Sequence, residues 1–343
     1  MTSKSIDGRM VAVARGARTN LALLALLAGA FLTGWLAFAF AAAPSRWSLV
    51  VHATSGFAII ALLPWKSIIA RRGVRRAQPG RWASVLLAVL VLVSLLAGFL
   101  HSTGLAVNIG PLPAMDYHVG AAIAAVPLVI WHVATRRIRV RTTDLSRRAI
   151  LRGGAVLGTA TLTYATSELV VRAAALPGAA RRFTGSYDAG SRNPDLLPVS
   201  NWMFDPVPSL DAGSWSLRTP GKTWTYQELA SFSDRVTATL DCTGGFYSTQ
   251  EWSGVRLDRI LDGADGMSIR VLSHTGYDRR FPVADASNLL LALRVGDRPL
   301  DSGHGFPARV VAADRRGFWW VKWVVAIEVD DVPHWWQPPF PIQ

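Results

Sequence analysis

The chain has 343 residues, half of them hydrophobic and 17% charged, against roughly 25% charged in an ordinary soluble domain. Its formal net charge of +13 is unevenly divided: residues 1–177 hold 19 Lys/Arg against 4 Asp/Glu, and residues 178–343 hold 17 against 19. This argues against a simple cytosolic enzyme and does not call for nucleic acid, because the basic residues lie between apolar runs, as membrane topology places them. The single cysteine, Cys242, rules out an intramolecular disulfide.

Four apolar runs, residues 21–43, 47–69, 82–105 and 114–135, approach or exceed the roughly 20 helical residues that cross a bilayer core. A fifth, weaker run at 150–176 is rich in Gly, Ala and Thr, carries Glu168 and Arg172 near its end, and stops at Pro177-Gly178. The loops orient the set. Lys4, Arg9, Arg15 and Arg18 precede the first run. Lys66, Arg71, Arg72, Arg75, Arg76 and Arg81 surround the end of the second and the start of the third. Arg136, Arg137, Arg139, Arg141, Arg147, Arg148 and Arg152 follow the fourth, whereas residues 102–117 have no Lys or Arg. Basic loops stay cytoplasmic. The N-terminus is therefore expected inside, the protein multi-pass in lipid, and residues 178–343 outside.

Ser146-Arg147-Arg148-Ala149-Ile150-Leu151-Arg152 resembles a twin-arginine export signal, here internal. The plainer reading is two more topology charges. The export reading has a physical motive, since a cofactor inserted in the cytoplasm stays only with a domain that crosses already folded.

Histidines in spanning helices are functional hypotheses by default. His52 lies in the second run, His101 at the end of the third and His118 at the start of the fourth, all toward the outer side. His132 follows His118 by 14 residues, which puts it on the same helix face about 21 Å away, but no second histidine lies near the inner ends. The pattern allows one bis-histidine b-type haem from two of His52, His101 and His118; the alternative is hydrogen-bonded histidines without metal. The four-helix part resembles the small b-type cytochromes that serve as membrane partners of exported oxidoreductases.

After residue 178, Gly, Pro, Asn and Asp punctuate short alternating runs. Strands are predicted at 236–240, 269–272 and 308–311, and short helices at 226–231 and 257–261. Nine of the 14 tryptophans fall in this half, most suited to packing. Cys242 closes the first of these strands and is followed by Gly244-Gly245. A lone cysteine is usually a small buried hydrophobe, yet a thiolate is also a soft ligand for a heavy transition metal. Downstream, His304, Arg309 and Lys322 stand among glycines and strands, where a guanidinium fork and an ammonium point charge suit a phosphate-bearing anion.

These segments, over about residues 183–329, resemble the molybdopterin-binding domain of the sulfite oxidase family. The marks are Cys242 with Trp252-Ser253-Gly254-Val255-Arg256-Leu257, Gly276-Tyr277 with Phe281-Pro282, His304-Gly305-Phe306-Pro307-Ala308-Arg309, and Val321-Lys322-Trp323. The resemblance implies an α+β chain: a transmembrane bundle of about five helices, then a mixed, β-rich molybdopterin domain. The expected domains are 1–145 (cytochrome-like), 146–177 (signal-like segment and fifth helix) and 178–343 (oxidoreductase). Cys242 would be the protein ligand to molybdenum. His304, Arg309, Trp320, Val321 and Lys322 would hold the pterin and its phosphate, Thr275 would line the pocket, and Asn201 of Ser200-Asn201-Trp202 would contact the cofactor. Tyr277, with Arg279 or Arg280, would face substrate.

Two departures qualify the substrate. Sulfite oxidases proper have an arginine shortly after the cysteine where this chain reads Gly244-Gly245-Phe246. Their immunoglobulin-like dimerisation domain is expected to be missing, since the sequence ends at Gln343. The layout looks closer to exported sulfoxide reductases of the same superfamily, with the molybdenum and haem parts fused. The expected activity is oxygen-atom transfer on a small sulfur or nitrogen oxide, or a sulfite-type dehydrogenation, with electrons exchanged with a membrane haem, a quinone or another carrier. The alternatives are a multi-pass protein with a metal-free outer binding or sensory domain, and a membrane cytochrome whose outer domain only docks a partner.

Overall fold

The computed structural model describes residues 3–41, 45–74, 80–136, 146–201 and 205–338, with side chains except those of 3–15 and 72–74. Arg75, Arg76, Arg137, Arg139 and Arg141 of the basic loops, and Trp202, lie outside the described residues, as do the side chains of Lys4, Arg9, Arg15 and Arg72. The chain divides into two compact units, one mainly helical and one mainly β-rich, the second made of Arg182 onward together with Phe38–Ala43.

The helical unit holds α1 (Ser3–Ala39), α2 (Arg46–Val74), α3 (Arg81–Thr103), α4 (Ala114–Thr135) and α5 (Arg147–Ala173). A two-residue ladder, β1 (Asn108–Ile109) with β2 (Leu112–Pro113), turns the chain between α3 and α4. Gly80 and Gly104, both with positive φ, bound α3, a conformation that glycine adopts without a Cβ penalty. The first four helices are long and apolar enough to cross a membrane. Apolar side chains cover their outer faces: Leu32, Leu96, Ile123 and Ile130 are each more than half exposed, the reverse of a water-facing helix. The weaker fifth run does form a helix, but α5 is not among those apolar enough to span. Arg147, Arg148, Arg152, Glu168, Arg172 and its glycines lower its hydropathy.

The second unit folds every strand and short helix predicted for it. Its elements are β3 (Tyr187–Asp188), β4 (Ser216–Thr219), β5 (Lys222–Thr225), α6 (Tyr226–Ala230), β6 (Asp234–Asp241), β7 (Phe246–Arg256), α7 (Asp258–Leu261), β8 (Ser268–Ser273), β9 (Asp278–Pro282), β10 (Leu289–Val295), β11 (Arg298–Pro299), β12 (Arg309–Ala312) and β13 (Val324–Asp330). One sheet runs β11-β10-β7-β3, with β12 also on β10 and β6 on β7; the other runs β5-β4-β13-β8-β9. Both sheets feed one core, in which Trp252, Val255, Leu290 and Leu291 of the first meet Leu217, Ile269, Phe281 and Ile327 of the second. In β10, six of seven residues are buried, so it reads as a continuous apolar run rather than an alternating one.

Backbone pairing places the site. Val310 N–H donates to Val321 O at 2.8 Å and Val324 N–H to Ala308 O at 2.9 Å. The start of β12 is thereby held against residues 320–322, and Arg309 against Lys322.

Candidate functional site

Cys242 follows β6 at the head of a tight loop. Its N–H bonds Phe246 O at 2.8 Å, and Gly245 N–H returns to Cys242 O at 3.2 Å. Gly245 has φ 92°, which a residue with a Cβ would adopt only with strain. The thiol is 9% exposed. Its Sγ lies 3.4 Å from Ser200 Oγ and accepts from Gly244 N–H at 3.4 Å.

Around this sulfur the fold gathers cations. Arg309, Arg316 and Lys322 all lie within electrostatic range of Cys242. Arg309 is 1% exposed, donates to His304 O at 3.1 Å and Trp320 O at 3.4 Å, and stacks near the rings of Trp252 and Trp320, 5.1 and 5.5 Å from their centroids. Among the described residues its buried Nε has no hydrogen-bond partner and no carboxylate pairs with it. Burial pulls its guanidinium down to about 9. Lys322 donates to Ser200 O (2.8 Å), Asn201 Oδ1 (2.8 Å) and Gly303 O (2.6 Å). Burial first, then Arg309, brings it down to about 7, although Cys242 and Asp205 pull the other way. The desolvation of the ammonium outweighs the attraction of those two groups.

His304 donates from Nε2 to Leu197 O at 2.9 Å, which leaves Nδ1 as the acceptor nitrogen of a neutral ring. That Nδ1 is buried without a hydrogen bond, although Asp301 Oδ2 stands 3.4 Å away. Burial, with Arg309 and Lys322 behind it, lowers the imidazole's pKa below its ordinary value. Gly305, at φ 105°, lets the stems of two cations close in: a Cβ there would stand 3.0 Å from Arg309 Cβ and 3.2 Å from Lys322 Cβ.

The structure thus brings Cys242, His304, Arg309, Trp320, Lys322 and Asn201 together, with Val321 acting through its backbone. Thr275 and Tyr277 form a second arm. Thr275 Oγ1 bonds Asp205 Oδ2 at 3.2 Å. The Tyr277 hydroxyl donates to Phe318 O and accepts from Arg279 Nε at 3.0 Å, so both of its polar roles are filled within the protein. Of the alternatives Arg279 and Arg280, Arg280 pairs with Asp330 at 2.5 Å.

Two residues escaped the sequence reading. Asp241, fully buried, accepts from Ser186 (2.7 Å), Thr184 (2.7 Å), Arg182 (3.3 Å) and Arg316 (2.6 Å). Arg316 then donates to Cys242 O at 3.2 Å. The cysteine loop is held from behind by this network. The available signal was only the adjacency of Asp241 to Cys242.

In the helical unit the rings of His52 and His118 meet edge to face with centroids 5.6 Å apart. His101 is buried on α3, and His132 hydrogen-bonds with Ser84 at 3.1 Å.

Comparison with known proteins bears on the second unit. Residues 204–336 match the family described as oxidoreductase molybdopterin binding domain. Mitochondrial sulfite oxidase of Drosophila melanogaster is 29% identical over 186 residues, which span 42% of this chain and 32% of that protein. A crystal structure of the sulfane dehydrogenase SoxCD from Paracoccus pantotrophus is similar at a TM-score of 0.35 and 24% identity, over 37% of this chain and 40% of that one. This chain therefore spans about a third of the curated relative. The family match and that relative support a sulfite oxidase-like molybdopterin-binding domain in the second unit.

Proposed function

We propose that the chain is a membrane-anchored molybdopterin-dependent oxidoreductase that performs oxygen-atom transfer on a small sulfur or nitrogen oxide. Electrons would be exchanged with a haem in the helical unit or with the quinone pool. One observation supports this above the rest: a cysteine thiol sits beside two cations, the buried Arg309 and the half-buried Lys322, and among the described residues neither forms a salt bridge with a carboxylate. A buried cation without a counter-charge costs several kcal/mol, so the fold pays for a site that an anionic ligand would neutralise. The orphaned Nδ1 of His304 and Nε of Arg309 offer one acceptor and one donor to a polar heterocycle bearing a phosphate. The residues present fit the group.

In this reading Cys242 would hold the metal, Arg309 and Lys322 would hold the phosphate, and His304, Trp320 and Val321 would seat the pterin. Asn201 orients Lys322, and Thr275 lines the pocket through Asp205. The cofactor, when bound, supplies the two-electron redox chemistry. The protein's share is to fix the sulfur, through Asp241 and Arg316 behind it, and to supply positive charge that favours anionic ligands. Tyr277, whose hydroxyl bonds Phe318 O and Arg279 Nε, would act on substrate together with Arg279. The absence of an arginine at Gly244-Gly245-Phe246 favours an S- or N-oxide over sulfite. Location outside the cytoplasm is supported by the loop charges and the twin-arginine-like segment, and it requires α5, less apolar than the first four helices, to cross as well.

The test is molybdenum and pterin content of the purified full chain, with Cys242→Ser as control, followed by turnover of sulfoxides, N-oxides and sulfite with artificial electron donors or acceptors. Near-stoichiometric metal that drops at least tenfold in Cys242→Ser supports the reading. A folded, metal-free protein would instead make the second unit a binding or sensory domain.

A further inference from the structure

The helical unit repeats one arrangement twice. In the first hairpin, His52 on α2 donates from Nδ1 to Ala30 O on α1 at 2.7 Å, and Gly34, one turn further along α1, lies against the ring. A Cβ at Gly34 would stand 2.8 Å from His52 Cε1 and 2.9 Å from Nδ1. In the second hairpin, His118 on α4 donates from Nδ1 to Ser94 O on α3 at 2.7 Å, and Gly98, again four residues on, lies against that ring. A Cβ at Gly98 would stand 2.8 Å from His118 Nδ1 and 3.0 Å from Cε1. Each ascending helix thus offers a carbonyl and, at i+4, a glycine. Each descending helix offers a histidine in its first two turns.

The chemistry of this pair is specific. A carbonyl partner at Nδ1 fixes the tautomer with the proton on Nδ1 and the lone pair on Nε2, the second-shell arrangement of metal-bound histidines. Neither Nε2 makes a hydrogen bond among the described residues. Two imidazoles sharing one metal at nitrogen–metal distances of about 2 Å place their ring centroids roughly 6 Å apart; these stand at 5.6 Å. Among the described residues no group of three His, Cys, Asp or Glu stands together, so a tetrahedral cage made by protein alone is not on offer. A metal that brings its own equatorial ligands, and an apolar macrocycle that suits the apolar helices, meets both facts.

We infer that His52 and His118, presented by two like helix hairpins and each seated on a glycine, would be the two protein ligands of a single b-type haem. The inference rests on the proposed electron exchange with a membrane haem and commits it to one pair. His101, which shares the outer end of α3 with Gly98, is not a ligand. The glycines let the rings lie close against the α1 and α3 backbones.

The experiment uses the full chain, expressed with a haem supply and purified in detergent. Haem content by pyridine haemochrome should be near one per chain, with the visible and paramagnetic-resonance signatures of a low-spin bis-imidazole iron. His52→Ala and His118→Ala should each lower haem content at least fivefold or convert the iron to high spin, while His101→Ala keeps both the amount and the low-spin spectrum. Imidazole added to His118→Gly should restore the low-spin spectrum, which separates lost ligation from misfolding. Gly98→Ala should retain haem with altered paramagnetic g-values, because the His118 ring must turn. A colourless protein, or a low-spin spectrum that survives His118→Ala and is lost in His101→Ala, overturns the assignment. Molybdenum content and dye-linked turnover, measured on the same preparations, report on the proposed enzyme separately: with those intact and haem absent, the haem assignment fails alone.

Discussion

The two units handle charge in opposite ways. In the helical unit the described arginines stand mainly near the helix ends, and two of the histidines inside bond backbone carbonyls, His52 on Ala30 and His118 on Ser94. The β-rich unit instead buries full charges: Asp241, Arg309 and Arg316 are each 3% exposed or less. A helix bundle has no spare backbone to solvate an interior ion. Sheet edges and loops do, and they spend that capacity around Cys242. Buried charge is costly wherever it occurs, and its concentration at one thiol is what the proposed anionic ligand would partly compensate.

The comparison is broken most severely by removing the anion that the protein itself provides. Asp241→Ala strands Arg316, which is 4% exposed at its side chain, and removes the acceptor of Ser186 and Thr184. Losing one partner of a buried pair costs about 3–5 kcal/mol. Chemical denaturation of the full chain in detergent should show a loss of this size in the β-rich unit and none in the helices. The exposed pair Arg235–Glu251, at 55% and 48% side-chain exposure, serves as the contrast, and Arg235→Ala should leave stability unchanged. Equal effects from the two variants would remove the distinction between buried and surface charge on which the site assignment leans.

Next in size is Arg309→Met. Here the buried cation has no carboxylate to strand, so its removal relieves desolvation while the methionine fills similar space against Trp252 and Trp320. By analogy with buried ionic groups replaced by apolar ones, the cofactor-free protein should gain about 1–4 kcal/mol, while its pterin content falls. Denaturation of cofactor-stripped protein and pterin analysis of the loaded form read the two effects. A variant that loses stability and keeps its pterin would make Arg309 a structural residue.

The residues in these two predictions were unequally legible in the sequence. Arg309 was within reach because the spacing from His304 to Lys322 resembles a family pattern, and Cys242 because it is the only thiol. Arg316 sits in Ala313-Asp314-Arg315-Arg316, which reads as a solvated turn. Its partner Asp241 lies 75 residues away, and a pairing across that separation leaves no local periodicity. Strands and spanning runs were legible because burial imposes a period of two or an unbroken apolar stretch. The His52–His118 pair was one of three combinations open to spacing alone. The glycines that single it out, Gly34 and Gly98, are ordinary residues of an apolar helix until the ring against each is seen.

The smallest effect is the sharpest in sign, and it concerns Lys322. Its folded pKa, about 7, lies below the ordinary 10.5, so between those values the unfolded chain holds a proton that the folded, cofactor-free domain lacks. Stability of that form should therefore rise with pH from about 7 to about 10. Anion binding has the opposite dependence. A phosphate beside Lys322 favours the ammonium, so binding above pH 7 takes up a proton and weakens by up to about tenfold per pH unit. Calorimetry in buffers of different ionisation enthalpy would count that proton directly, using inorganic pyrophosphate on cofactor-stripped protein. In Lys322→Met both slopes should vanish together. If the stability slope vanished and the binding slope remained, the proton would belong to another group, and His304, lowered by the same burial and neighbouring cations, would be the one to replace next.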